Sequence, residues 1–165
     1  MSSKISKLLL PHEKKLLLDG ELKNITHKGS SSIWLDAPST EFSLVENITN
    51  VYRPMGDLEL LFLLKHGILP DTQPYQSITE GVAGRIYAEK YLNGKKWVDS
   101  CPTTVVEFCI PKELFKTLFE IQHKCEDGCL SIGLGEKGGG GLKLFNASLA
   151  KKESSFRIVK VKRKN

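Results

Sequence analysis

Residues 130–145 read Leu-Ser-Ile-Gly-Leu-Gly-Glu-Lys-Gly-Gly-Gly-Gly-Leu-Lys-Leu-Phe, and this run constrains the fold more than any other stretch. It includes a Gly-x-Gly-x-x-Gly at Gly133, Gly135 and Gly138. Glycine allows positive φ and close backbone approach, and it loses the most chain entropy on ordering. Such a run is therefore either a cradle for a ligand or the tip of a turn. A dinucleotide fingerprint must open a helix whose N-terminus meets the pyrophosphate. Here the glycines lead into Leu142-Lys-Leu-Phe145, whose alternation reads as a strand. The expectation is a Gly-rich hairpin with arms at Leu130–Leu134 and Leu142–Phe145. No phosphate-loop Gly-Lys-Ser/Thr follows the glycines either.

Elsewhere the pattern alternates between strands and helices. Ser32–Leu35, Glu41–Val45, Asn50–Arg53, Lys96–Asp99, Thr103–Ile110 and Phe156–Lys162 read as strands, the third stopped by Pro54. Thr103-Thr-Val-Val-Glu-Phe-Cys-Ile110 is rich in β-branched residues and suits a central strand. Three main helices are expected. Asp57 can cap Leu58–Lys65, a buried helix ending at His66-Gly67. Thr79 can cap Glu80–Leu92, with Ala83, Tyr87 and Tyr91 in one stripe and Val82 and Ile86 beside it. Pro111 opens a third, whose Leu114, Phe115, Leu118 and Phe119 share a face. Strands dominate both ends, so the fold class is α+β: a single domain over 1–165 with a mixed or antiparallel split sheet. Residues 1–30 are expected to be a peripheral helical and loop segment, and 31–162 the α+β core.

A chain of 165 residues is enough for one domain with a real core. No apolar stretch approaches a bilayer span, so no membrane is expected. Without a cleavage-site pattern at the N-terminus, a cytoplasmic location, or also a nuclear one, is expected. Cys125-x-x-x-Cys129 lacks zinc-knuckle spacing, and Cys101 and Cys109 lie too far apart in sequence for one. No metal is expected, although His123 near Cys125 leaves a metal or redox role open.

One order of elements stands out. An Arg-bearing strand, Val51-Tyr52-Arg53, leads to a helix ending in Gly67-Ile-Leu-Pro70. Pro74-Tyr-Gln-Ser77-Ile-Thr79 follows, then a helix with Tyr87 and Tyr91, then the strand Thr103–Ile110. Over roughly residues 48–162 this order resembles the ADP-ribosyltransferase fold, a split mixed sheet that grips nicotinamide dinucleotide in an extended cleft. The ending Ser154–Lys162 resembles that family's last strand. The resemblance implies NAD as substrate and a cleft between Arg53, Ser77, Tyr87 and the glycine run. Arg53 matches the family's first-strand Arg, and its guanidinium could hold a phosphate bidentately. Ser77-Ile78-Thr79 loosely matches the Ser-x-Ser strand, and Tyr87 and Tyr91 would line the cofactor site. Glu136 stands where the family has a late Glu-x-Glu, and would be the catalytic carboxylate. The second Glu is missing, which leaves open whether the domain is an enzyme.

Plainer readings stand beside these. Arg53 can serve an ion pair, Ser77 and Thr79 a turn and a helix cap, Tyr87 and Tyr91 packing, and Glu136 the polar tip of a hairpin. A second functional reading starts from the formal charge of +5 and the basic tail, with Lys160, Lys162, Arg163 and Lys164. It is a non-catalytic binding module that contacts an acidic protein or nucleic acid. The same lysines could instead protect a sheet edge.

Overall fold

The computed structural model describes residues 33–41, 46–71, 76–92, 102–126, 128–134 and 141–162. The chain is α+β. Among the described residues the elements run β1 (Ile33–Asp36), β2 (Ile48–Met55), α1 (Asp57–His66), β3 (Ser77–Glu80) and α2 (Gly81–Tyr91). Then come β4 (Thr104–Pro111), α3 (Lys112–Ile121), β5 (His123–Glu126), β6 (Cys129–Gly133), α4 (Gly141–Ala150) and β7 (Ser155–Lys162). All seven strands join one sheet in the order β1-β7-β4-β2-β3-β6-β5, and every pair is antiparallel.

The β-branched run becomes β4, the middle of the ladder, as its composition requires: Val105, Val106, Phe108 and Ile110 have no exposed surface. It pairs with β2 over all eight positions, from Ile48↔Pro111 to Met55↔Thr104. β2 does not stop at Pro54; pairing of Pro54 with Val105 carries it on to Met55. Successive side chains of a strand point to opposite faces. One face therefore carries Val51, Arg53, Ile78 and Phe108. On it, Phe108 meets Phe145 of α4 with centroids 5.0 Å apart, and Arg53 meets Glu59 of α1. The other face carries Tyr52, Thr79, Glu107 and Arg157, and is covered by α2 and by residues 37–40, a strap that leaves β1. α2 lies close because residue 84 is glycine: a Cβ there would sit 2.4 Å from the Thr79 carbonyl carbon.

α3 follows its sequence pattern, with Leu118 fully buried and Leu114, Phe115 and Phe119 packed on the core. Four expectations need correction. Leu142–Phe145 is no hairpin arm but the first turn and a half of α4, which buries Gly141, Phe145, Ser148 and Leu149. That spacing is helical, and a four-residue alternation was too short to tell the two periods apart. Gly141 allows the helix to start tight against the core, since a Cβ would lie 3.0 Å from Leu118 Cδ2. Thr79 does not cap α2; it lies inside β3, and its hydroxyl donates to the Gly84 carbonyl over 2.8 Å. Within α2 the buried residues are Gly84 and Ala88, while Val82 and Ile86 are 78% and 53% exposed. α1 is likewise not buried all round, for Leu58 is 86% exposed. The two strands expected at 41–45 and 96–99 and the N-terminal segment fall outside the described residues, apart from Glu41, which belongs to no element.

The hairpin formed among the described residues is β5–β6, with Gly128 at φ 78° ahead of β6. The sequence between the two strands is Asp-Gly, a strong two-residue hairpin signal. The pairing puts Cys125 opposite Leu130 and Glu126 opposite Cys129, so the two cysteines are one register step apart. Neither cysteine is in a disulfide.

Candidate functional site

Sheet register assembles a polar row through the middle of the domain. Arg157 pairs with Glu107, Glu107 with Tyr52, Tyr52 with Thr79, and Thr79 with Ser131, across β7, β4, β2, β3 and β6. Cross-strand partners share a face, so these side chains stand side by side. Glu107 is the centre of the row and has no exposed surface. An ionised carboxylate can be buried only when paired and hydrogen-bonded. Glu107 accepts from the Thr40 amide at 2.9 Å, the Thr40 hydroxyl at 2.5 Å, the Tyr52 hydroxyl at 2.9 Å and Arg157 Nε at 3.0 Å. Cys109 Sγ lies 3.7 Å from Glu107 Oε1.

These contacts set the protonation states. Burial alone would raise the Glu107 carboxyl, but the Thr40 hydroxyl and amide, Tyr52 and Arg157 together hold it below its ordinary 4.5. Burial, helped by the Glu107 charge, pushes the Tyr52 hydroxyl up to about 12 and the Cys109 thiol up to about 11. At neutral pH the centre is thus one carboxylate facing one guanidinium, with a protonated phenol and thiol beside it. That chemistry suits anchoring better than proton transfer.

What it anchors is the strap. Arg85 of α2 donates to the Ala37 carbonyl at 2.6 Å and to Ser39 Oγ at 2.8 Å. Asn50 Nδ2 donates to the Thr40 carbonyl at 2.7 Å, and Arg157 donates to the Pro38 carbonyl and, at 2.9 Å, to Thr40 Oγ1. Beside the strap, Asp36, Ala37, Pro38, Arg85, Glu89 and Lys160 line an open hollow of about 410 Å³. Its charges are paired among themselves: Arg85 with Asp36 and Glu89, and Lys160 with the same two carboxylates at 3.8 and 3.6 Å.

Of the residues singled out in sequence, Arg53 and Ser77 are brought together. Arg53 is 8% exposed; Nε and Nη2 grip Glu59 at 2.5 and 2.9 Å, and Nη1 donates to the Ser77 carbonyl at 3.0 Å. Its fork is therefore engaged within the fold. Thr79 stands one position beyond Ile78 on the face opposite to Arg53, under α2. Tyr87 and Tyr91 meet each other, hydroxyls 3.0 Å apart and rings at 70°, on that same α2. Glu136 lies outside the described residues, as do Arg163 and Lys164. β7 is no edge strand, because β1 and β4 flank it, and its Arg157 and Lys160 are ion-paired.

The sequence reading passed over Glu107, Tyr52, Thr40, Arg85 and Arg157 as a group. Glu107 alone left a trace, as the one charge inside a β-branched run. Among the described residues no three His, Cys, Asp or Glu side chains are grouped to hold a metal ion. Among them, too, no helix is long and apolar enough to cross a membrane. The chain matches no family model, no curated protein and no solved structure.

Proposed function

We propose that the chain is a domain of the ADP-ribosyltransferase type that takes nicotinamide dinucleotide along the seam of β2 and β3. The observation that carries this reading is the direct bond between Arg53 Nη1 and the Ser77 carbonyl. It joins the Arg-bearing strand to the Ser-x-Thr strand, the two segments on which the resemblance rests. Glu59 and the Ser77 carbonyl hold all three guanidinium nitrogens of Arg53, so on this reading a dinucleotide would meet a side chain whose orientation is already fixed and would have to compete with those contacts. On this reading Glu136 is the carboxylate that would stabilise an oxocarbenium-like sugar cation during transfer.

Calorimetric titration of the full chain with NAD tests the reading. Binding is expected, together with a thermal shift equivalent to about 2.7 kcal/mol at about one hundred times Kd. Arg53→Lys, checked for folding by circular dichroism, is expected to weaken it. Glu136→Ala is expected to abolish slow dinucleotide hydrolysis while leaving binding intact. No heat and no shift at millimolar dinucleotide would end the proposal.

A further inference from the structure

We infer that residues 36–40 form a releasable strap pinned by the buried Glu107 carboxylate, so that acid detaches it before the rest of the sheet opens. The inference is independent of any dinucleotide role. Its basis is the way the segment is held. Among the described residues β1 is the outermost strand of the sheet and pairs with β7 at three register positions, with an irregularity between Ile33 and Leu35. Beyond Asp36, among those residues, one backbone bond continues that pairing, from the Ala37 amide to the Val159 carbonyl at 2.7 Å. Every other fastening described above runs from strap to side chain, through Arg85, Asn50, Glu107 and Arg157. A segment held by side chains at a sheet edge opens at lower cost than the paired centre.

Glu107 is the group whose charge the fastening needs. It takes both the amide and the hydroxyl of Thr40, and it fixes Arg157, which in turn holds Pro38 and Thr40. From β2, Tyr52 faces it, and Cys109 faces it from β4 itself; both are already protonated at neutral pH, so neither changes charge on acidification. From β7, the Arg157 guanidinium faces it. From α2, Arg85 reaches the strap, with Asp36 and Glu89 as its carboxylates and Lys160 beside them. Protonating Glu107 removes the ion pair and an acceptor site at once. Arg157 then faces no counter-charge at Glu107, and the Thr40 amide loses a charged acceptor.

Hydrogen exchange of the full chain, with peptides spanning 36–41 compared with those of β4, reads this directly. After correction for intrinsic rates, strap protection is expected to fall severalfold between neutral pH and pH 3, below the ordinary carboxyl value, while β4 stays protected. Glu107→Gln is expected to give the low protection at both pH values, which separates Glu107 from the Asp36 and Glu89 carboxylates. Strap and β4 losing protection together, or a fully protected strap in Glu107→Gln, would overturn the inference. Should Glu107→Gln fail to fold, Thr40→Val gives the deciding reading. It removes only the hydroxyl; a strap as protected as in the unaltered chain refutes the pin, and a loosened strap on an intact β4 supports it.

Discussion

Tyr52 and Glu107 stand directly opposite each other on β2 and β4, and the Tyr52 hydroxyl donates to Glu107 Oε2 over 2.9 Å. The two residues are far apart in the chain, yet each acts on the other's protonation. Burial, with the Glu107 charge adding to it, raises the phenol, and the phenol joins Thr40 and Arg157 in holding the buried carboxyl below its ordinary value.

This coupling sets the acid limit of the fold. The folded carboxyl of Glu107 lies below its ordinary 4.5, so its contribution is fully present above that value and is lost as pH falls through the folded value. Urea unfolding should show falling stability below about pH 4.5. Glu107→Gln should flatten that slope and cost about 3–5 kcal/mol at neutral pH, because the ion pair with Arg157 is broken. A slope unchanged in the variant would assign acid sensitivity to other carboxylates.

The alkaline limit has the opposite sign. Tyr52 rises from 10.0 to about 12 and Cys109 from 9.0 to about 11. Both contribute stability that is complete below their unfolded values and lost as pH climbs through the folded ones. An absorbance titration of the phenols should find one of the four tyrosines ionising near pH 12, together with unfolding. Tyr52→Phe should remove that step and cost about 1–3 kcal/mol, since a buried carboxylate loses a donor.

Arg53 and Glu59 form a buried pair with side chains 10% and 7% exposed. Glu59→Ala should therefore cost about 3–5 kcal/mol by stranding the guanidinium. Replacing both with apolar residues of similar volume should cost far less than the sum of the single changes. A double-mutant cycle by urea unfolding measures the difference.

Gly84 is required by the close approach of α2 to β3. Gly84→Ala would place a Cβ 2.4 and 2.5 Å from the Thr79 carbonyl carbon and oxygen. Overpacking of this kind costs about 1–3 kcal/mol or more, against a helix-propensity gain of about 1 kcal/mol. Gly56→Ala meets nothing within 4 Å and serves as control. Thermal melts should show the first clearly lowered and the second nearly unchanged.

Local pattern by itself determined the type of the elements whose period is long and clean. The β-branched run gave β4, the alternation at the end gave β7, and Leu114, Phe115, Leu118 and Phe119 gave α3. Two short segments escaped it. Leu142–Phe145 alternates over four residues but turns helical because Gly141 can seat the helix against Leu118, a contact made across the fold. Ser77–Thr79 has the chemistry of a cap yet is drawn into the sheet between β2 and β6.

The polar centre was decided by tertiary structure alone. Tyr52, Thr40 and Arg157 lie 55, 67 and 50 residues from Glu107, and only the sheet register and the path of the strap bring them together. Side-chain periodicity records which face a residue takes. It carries no information on which distant partner will stand opposite, and a buried charge exists only by virtue of that partner.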